Sequence, residues 1–201
     1  TVSADSGTEG INLLESDDLI VDDTTVTVKR VAADATTSDI TDAAQSDLVT
    51  RDNGAIVVRS LAGDITLNAG TATGTDQSVN ADGTGHILLQ AITAKSITAN
   101  ADIVSGGGHI SLLAGQDITF NSAADLISSV TGTLDMQATS GAISLSEISH
   151  QTTGSGDIRL RAGTNITLGG VATTTGHISA TANTGWIHDV DTDNSVDIAA
   201  T

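Results

Sequence analysis

The chain has 201 residues, with 7 basic against 25 acidic side chains for a formal net charge of −18, and it contains neither cysteine nor proline. A surface this acidic repels nucleic acid and anionic membranes, and the lack of cysteine excludes disulfides and thiolate metal sites. Proline lacks the N–H that a sheet ladder needs, so its absence suits a chain engaged mostly in strands.

Low aromatic content with high charge can signal disorder. Here 38% of residues are hydrophobic and they recur at regular spacing, which argues for a packed core. No apolar run approaches the roughly 20 residues of a membrane-spanning helix. No signal-peptide pattern is visible, and Thr1 opens the chain as it would an excised or processed piece.

Residues 1–31 hold three apolar bursts, Ile11-Asn12-Leu13, Leu19-Ile20-Val21 and Val26-Thr27-Val28, each bounded by Asp, Ser or Thr. They read as short strands of an N-terminal coil with polar turns. Residues 32–53 break that rhythm. Ala, Asp, Thr and Ser dominate there, and 32–53 reads as an insertion or lid in which Ser38 to Leu48 could make a helical turn or two, capped by Ser38 or Thr41.

From Gly54 a repeat takes hold. One apolar series runs Ile56, Ile87, Ile110, Leu134, Ile158 and Ile178. A second runs Ile65, Ile97, Ile118, Ile143, Ile166 and Ile187. A third, Val79, Ile103, Leu126, Ile148 and Val171, has spacings of 24, 23, 22 and 23 residues. A shared period near 23 marks a solenoid with one repeat per coil.

Within each motif apolar residues alternate, as in Ile110 and Leu112 or Ile118 and Phe120, and β-branched residues between glycines favour strands over helices. The expected fold is an all-β, right-handed parallel β-helix with about 23 residues per coil and three short strands per coil. Residues 1–53 form an N-terminal coil plus an irregular insertion or cap. Residues 54–201 form the regular repeats, with the rhythm fading after 189. Glycines such as Gly54, Gly85, Gly108, Gly132, Gly156 and Gly176 precede most motifs, where a chain turns a corner or needs positive φ.

The segments Gly-Asp-Ile-Thr-Leu at 63–67, Gly-His-Ile-Ser-Leu-Leu-Ala-Gly-Gln-Asp-Ile-Thr-Phe at 108–120 and Gly-Asp-Ile-Arg-Leu-Arg-Ala-Gly-Thr-Asn-Ile-Thr-Leu at 156–168 resemble repeats of the filamentous-haemagglutinin-like large exoproteins. The resemblance covers roughly residues 54–189. It implies a β-helix in a bacterial extracellular or cell-surface protein with roles in adhesion and fibre formation.

Four features invite chemistry. His86, His109 and His177 each precede a first-strand Ile, and the first two should stack one coil apart, where two imidazoles could share a metal or simply decorate a solvated strand face. The outward column Thr66, Thr98, Thr119, Ser144 and Thr167 could order water, although Thr also pairs well with itself across strands. Asp157 and Arg159 read as a local charge pair. Asp189, Asp191 and Asp193, spaced alternately with Asp197 nearby, are candidate calcium ligands, weighed against a solvated acidic turn.

No other cofactor is expected. Polysaccharide lyases and hydrolases on this fold need clustered carboxylates and sugar-stacking aromatics in a groove. With only Phe120 and Trp186 for that purpose, the chain is expected not to be an enzyme. The expected role is a structural rod or stalk segment of a surface fibre or giant adhesin, possessing open strand edges that can stack end to end. Its partners would be the continuation of the same giant chain or identical neighbouring subunits, with no nucleic acid and no membrane insertion. An adhesive module recognising a surface glycan or host cell, through 32–53 or 69–84, is the alternative.

Overall fold

The computed structural model describes residues 1–71, 75–121, 124, 126–128, 130–147, 150–190 and 197–200. The chain winds as a parallel β-helix, and among the described residues no helix occurs. Three parallel sheets run along its length. The first stacks seven strands that begin at Ile11, Ile56, Ile87, Ile110, Leu134, Ile158 and Ile178. The second stacks seven that begin at Leu19, Ile65, Ile97, Ile118, Ile143, Ile166 and Ile187. Both apolar series therefore stand in register, residue on residue, and each gains a member from the N-terminal coil.

The physical logic is the two-residue period of a strand. In Ile110–Ala114 the first, third and fifth side chains are buried and the others face outward. Stacked copies turn each buried position into a column. Ile, Leu and Ala columns line the inside of the first sheet, as in Ile87↔Ile110↔Leu134, Leu89↔Leu112↔Met136 and Ala91↔Ala114↔Ala138. The second sheet adds its Ile column and a column of mixed size, in which Phe120 lies between Ala99 and Leu145. Small Ala99 leaves room for the ring, which is itself buried. Each fully buried Ile or Leu stabilises by roughly 1.5–3 kcal/mol.

The corners use glycine and hydroxyl side chains. A Cβ placed on Gly108 would stand 2.1 Å from the carbonyl oxygen of Gly85, and one on Gly85 would stand 2.3 Å from that of Gly54. Gly156 and Gly176 meet the carbonyls of Gly132 and Gly156 in the same way. Close approach of the preceding coil, rather than positive φ, demands glycine there. Positive φ is confined to Gly10 and Gly83 among the described glycines.

Buried hydroxyls tie the same corners. Ser105 Oγ donates to Gly85 O at 2.8 Å and accepts the Gly108 N–H at 2.7 Å. Thr173 Oγ1 donates to Gly156 O at 2.8 Å and accepts the Gly176 N–H at 3.1 Å. These bonds explain why polar residues can end the third-sheet strands inside the core.

Three sequence expectations change. Val26-Thr27-Val28 does not belong to the first coil. Thr27–Val31 pairs antiparallel with Thr37–Thr41, so the segment expected to turn helical from Ser38 is half of a β-hairpin. The third strand of the first coil is Leu48–Thr50, and Ala4–Ser6 pairs outside it. Alternation too short for a helix, with β-branched Thr and Ile, favoured the strand over weak capping signals.

In the third sheet, Gln151 stands in register between Leu126 and Val171, the place assigned to Ile148, which lies outside the described residues. The segment 69–84, named for the adhesive alternative, contains the strand Gln77–Ala81, in which Val79 of the third series pairs with Ile103. The extra length between Ile56 and Ile87 falls largely after Leu67, ahead of that strand.

Candidate functional site

The outer surface is dressed by side-chain ladders that follow from the register. Asp64 N–H donates to Asp18 Oδ1 and Ser96 N–H to Asp64 Oδ1, each at 2.8 Å. Ala142 N–H donates to Asp117 Oδ1 at 2.7 Å, and Trp186 N–H to Asn165 Oδ1 at 3.1 Å. Each oxygen caps the amide that opens the strand of the next coil.

One residue past the second-sheet strands runs an amide ladder. Asn121 Nδ2 donates to Asn100 Oδ1 at 2.9 Å, Asn100 Nδ2 to Asn68 Oδ1 at 2.8 Å, and Asn68 Nδ2 to Asp22 Oδ2 at 3.0 Å. Sequence reasoning missed this ladder. The signal was present, since Asn68, Asn100 and Asn121 each follow an Ile-Thr-x triplet.

His86 and His109 stack as expected, with ring centroids 5.0 Å apart and planes at 25°. Their chemistry is structural. His109 N–H donates to His86 Nδ1 and Thr133 N–H to His109 Nδ1, both at 3.0 Å. Each ring thus uses a nitrogen lone pair on the backbone of the next coil, as the aspartates do in the neighbouring ladder. His177 continues the column, its N–H donating to Asp157 Oδ1 at 2.8 Å and its ring Nδ1 lying 3.2 Å from the same oxygen. The His177 amide, then its ring, holds the Asp157 carboxyl below the usual aspartate range.

The expected Asp157–Arg159 pair is not formed. Arg159 reaches the neighbouring coil instead and grips Asp135 through two bonds of 2.8 Å, Nε to Oδ1 and a terminal nitrogen to Oδ2. Residues two apart on one strand share a face yet stand farther apart than residues stacked across strands. The Asp135 contact, with its charge, raises the guanidinium above its ordinary value.

Of the three candidate calcium ligands, Asp189 ends the strand Ile187–Asp189, in register with Leu168 and exposed. The ladder continues through it, with Val190 N–H donating to Leu168 O at 3.0 Å. Asp191 and Asp193 lie outside the described residues. Among the described residues no group of three or more His, Asp or Glu side chains is placed to hold a metal.

The two ends of the stack differ. In the first coil Ile11, Leu19 and Val21 are buried, with Val2, Ala4 and Leu13 packed against the core. Val2 also pairs with the edge strand: its N–H donates to Ile20 O at 2.9 Å and its carbonyl accepts the Asp22 N–H at 3.3 Å. At the other end Ile187 is 42% and Ile198 44% exposed, and Trp186 and Val190 are exposed beside them. The Trp186 ring meets His188 edge-on at 5.9 Å. Among the described residues the apolar columns are thus buried in the first coil and partly exposed in the last.

Among the described residues the hairpin Thr27–Thr41 pairs with no strand of the coil. A salt bridge of 2.5 Å joins Lys29 to Asp39 on one face, and Val28 stands opposite Ile40 on the other. At its turn Asp34 accepts the Thr36 hydroxyl and amide, which hold its carboxyl below the usual range.

Comparison with known protein families, with curated proteins and with solved structures finds no match to this chain.

Proposed function

We propose that this chain is a structural rod segment of a bacterial extracellular or cell-surface fibre or giant adhesin, and that it is not an enzyme. The observation that carries this reading is the unequal pair of ends. A solenoid is held by contacts between neighbouring coils, and its terminal coils expose apolar faces and unpaired edges unless something covers them. Here Val2 and its neighbours cover one end, while Ile187 and Ile198 stay exposed at the other. The open end is suited to further stacking, by continued chain or by an identical subunit, through main-chain hydrogen bonds as in strand addition. The repeat resemblance to filamentous-haemagglutinin-like exoproteins supports the same assignment.

Electron microscopy of the purified protein over a concentration series tests self-assembly, beside the Ile187→Lys and Ile198→Lys variants. Stacked particles that the lysines abolish are the expected result. A protein that stays monomeric at every concentration, with its final coil protected from hydrogen exchange, overturns end-to-end assembly.

A second reading, an adhesive module for a glycan or cell surface, is favoured by the hairpin, whose strand residues are exposed apart from the half-buried Ile40. Glycan-array binding that disappears on deletion of 27–41 would select it over the passive rod.

A further inference from the structure

Positive charge is scarce on this chain and unevenly placed. Seven basic residues stand against 25 acidic ones. Three of the seven, Arg59, Arg159 and Arg161, share the outer face of the first sheet, because each takes an outward position in a strand whose alternate residues are buried. The register lines up two outward columns there. One carries Val57, Leu88, Asp135 and Arg159, and the other Leu14, Arg59, Gln90, Leu113, Gln137 and Arg161. Among the described residues Asp135 is the single acid in the two columns. Three arginines against one aspartate leave the columns at a formal +2 in a chain of −18.

The three arginines are not equally engaged. Arg159 is held by Asp135 through two bonds. Arg59 donates from Nε to Gln90 Oε1 at 2.8 Å, which orients the guanidinium and leaves its terminal nitrogens without a partner among the described residues. Arg161 has neither a hydrogen bond nor an ion pair among the described residues. Beside it lies a cleft of about 100 Å³, lined by Gln137, Ala138, Thr139 and Asn183. Those residues carry two amides, a hydroxyl and no acid, a set that complements one carboxylate on the Arg161 fork. Apolar side chains share the face. Val57 stacks on Leu88, both half-buried, Leu113 is half-buried in the next coil, and Leu14 is 63% exposed.

Exposed arginine beside apolar side chains, with the single acid paired, matches the centre of a protein interface more than a solvated face. Charge decides what can cover it. A second copy applied face to face is disfavoured, because it brings guanidinium against guanidinium with only Asp135 to offset them. A polyanionic glycan would leave the apolar residues unused, and the columns hold no aromatic ring for a sugar to stack on. The net charge of −18 repels any acidic partner at long range, but screening confines that repulsion to a Debye length of about 8 Å. Arg59 and Arg161 lie four coils apart in one column, about 19 Å at about 4.8 Å per coil, the span of about six residues of extended chain at about 3.3 Å each. Residues an even number apart on a strand point the same way. We propose that this face docks an extended polypeptide segment of a partner, with acids about six residues apart on one side for Arg59 and Arg161 and apolar residues between them over Leu113. The inference is independent of whether the ends of the stack assemble.

Backbone-amide NMR titration of the full chain with the synthetic peptide Glu-Thr-Leu-Thr-Leu-Thr-Glu tests it, because chemical shifts register weak binding. Saturable shifts are expected in the strands that carry Leu88, Leu113, Gln137 and Arg161. Arg161→Gln should weaken binding about tenfold, as loss of one charge pair at an interface does. Arg161 is exposed and unpaired, so that variant should fold as the parent does. Arg30→Gln makes the same charge change in the exposed hairpin and should bind like the parent. A control peptide with Ser in place of both Leu should bind several-fold more weakly. Absence of saturable shifts on this face, equal binding by parent and Arg161→Gln, or equal binding of the serine peptide would each overturn the proposal. A heparin fragment that shifts the same amides at lower concentration than the peptide would overturn it as well and assign the face to an anionic glycan.

Discussion

Replacing Ile118 by alanine is a direct test of the stacked interior. Ile118 is fully buried, and its column neighbours are Ile97 in the preceding coil and Ile143 in the next. The change removes three carbons, about 2.4 kcal/mol at about 0.8 kcal/mol for each. The neighbours are fixed by their own ladders on both sides, so the site cannot collapse far. A residual cavity then adds about 24 cal/mol per Å³, which brings the total to about 3–4 kcal/mol.

The control is Ile187→Ala in the same column, where the side chain is 42% exposed and the last described strand of the sheet leaves no coil above. There the loss should be about 1 kcal/mol, with no enclosed cavity. Urea unfolding followed by far-ultraviolet circular dichroism measures both, with hydrogen exchange to show which coils open. Equal costs at the two positions, or a loss below about 1.5 kcal/mol at Ile118, would refute a continuous packed column.

Asn100→Ala cuts both amide bonds of the ladder that joins Asn68 to Asn121 and should cost about 1–3 kcal/mol, at about 0.5–1.5 kcal/mol per bond, read from the urea midpoint. Gly108→Ala drives a Cβ to 2.1 Å from the Gly85 carbonyl oxygen and should destabilise by about 1–3 kcal/mol, whereas Gly7→Ala, with nothing within 4 Å, should be close to neutral in the same assay. The Asp157 carboxyl is held low by the His177 amide and ring, so its stabilising contribution is present above the usual aspartate range and is lost as pH falls through the lower folded value. Carbon-detected NMR titration should place Asp157 below a reference aspartate, and His177→Ala should bring it back towards that reference. If the acidic run at Asp189, Asp191 and Asp193 binds calcium, chelator lowers the melting temperature and Asp191→Ala removes that difference. An unchanged melting temperature with and without chelator refutes calcium binding by this run.

The coil architecture was legible because it is written in local chemistry. Ile110 and Ile118 alternate with polar neighbours and recur at a fixed period, and a strand of two-residue period can bury such a pattern only by stacking it. The outward faces of His109 and Thr119 followed from the same parity. The errors arose where stacking has no local signature. Asp157 and Arg159 are close in sequence, yet Arg159 reaches Asp135 because coil-to-coil spacing is shorter than the distance along a strand. Ile148 fits the third series by hydrophobicity, while the ladder passes through Gln151, which hydrogen-bond register and not polarity selects.

The glycines repeat the lesson. Their positions could be read from the chain, but the carbonyl of the coil beneath, which explains them, belongs to a residue twenty or more positions away. Ser46 and Asp47 carried no motif at all, yet the fold buries both, beside a Thr24–Gln45 bridge between residues 21 positions apart. Period, alternation and the absence of proline were enough to determine a stack of short parallel strands. Which residues meet across coils, which end is covered and where polar groups are buried together depended on register and loop path, because those contacts form between segments that the sequence keeps far apart.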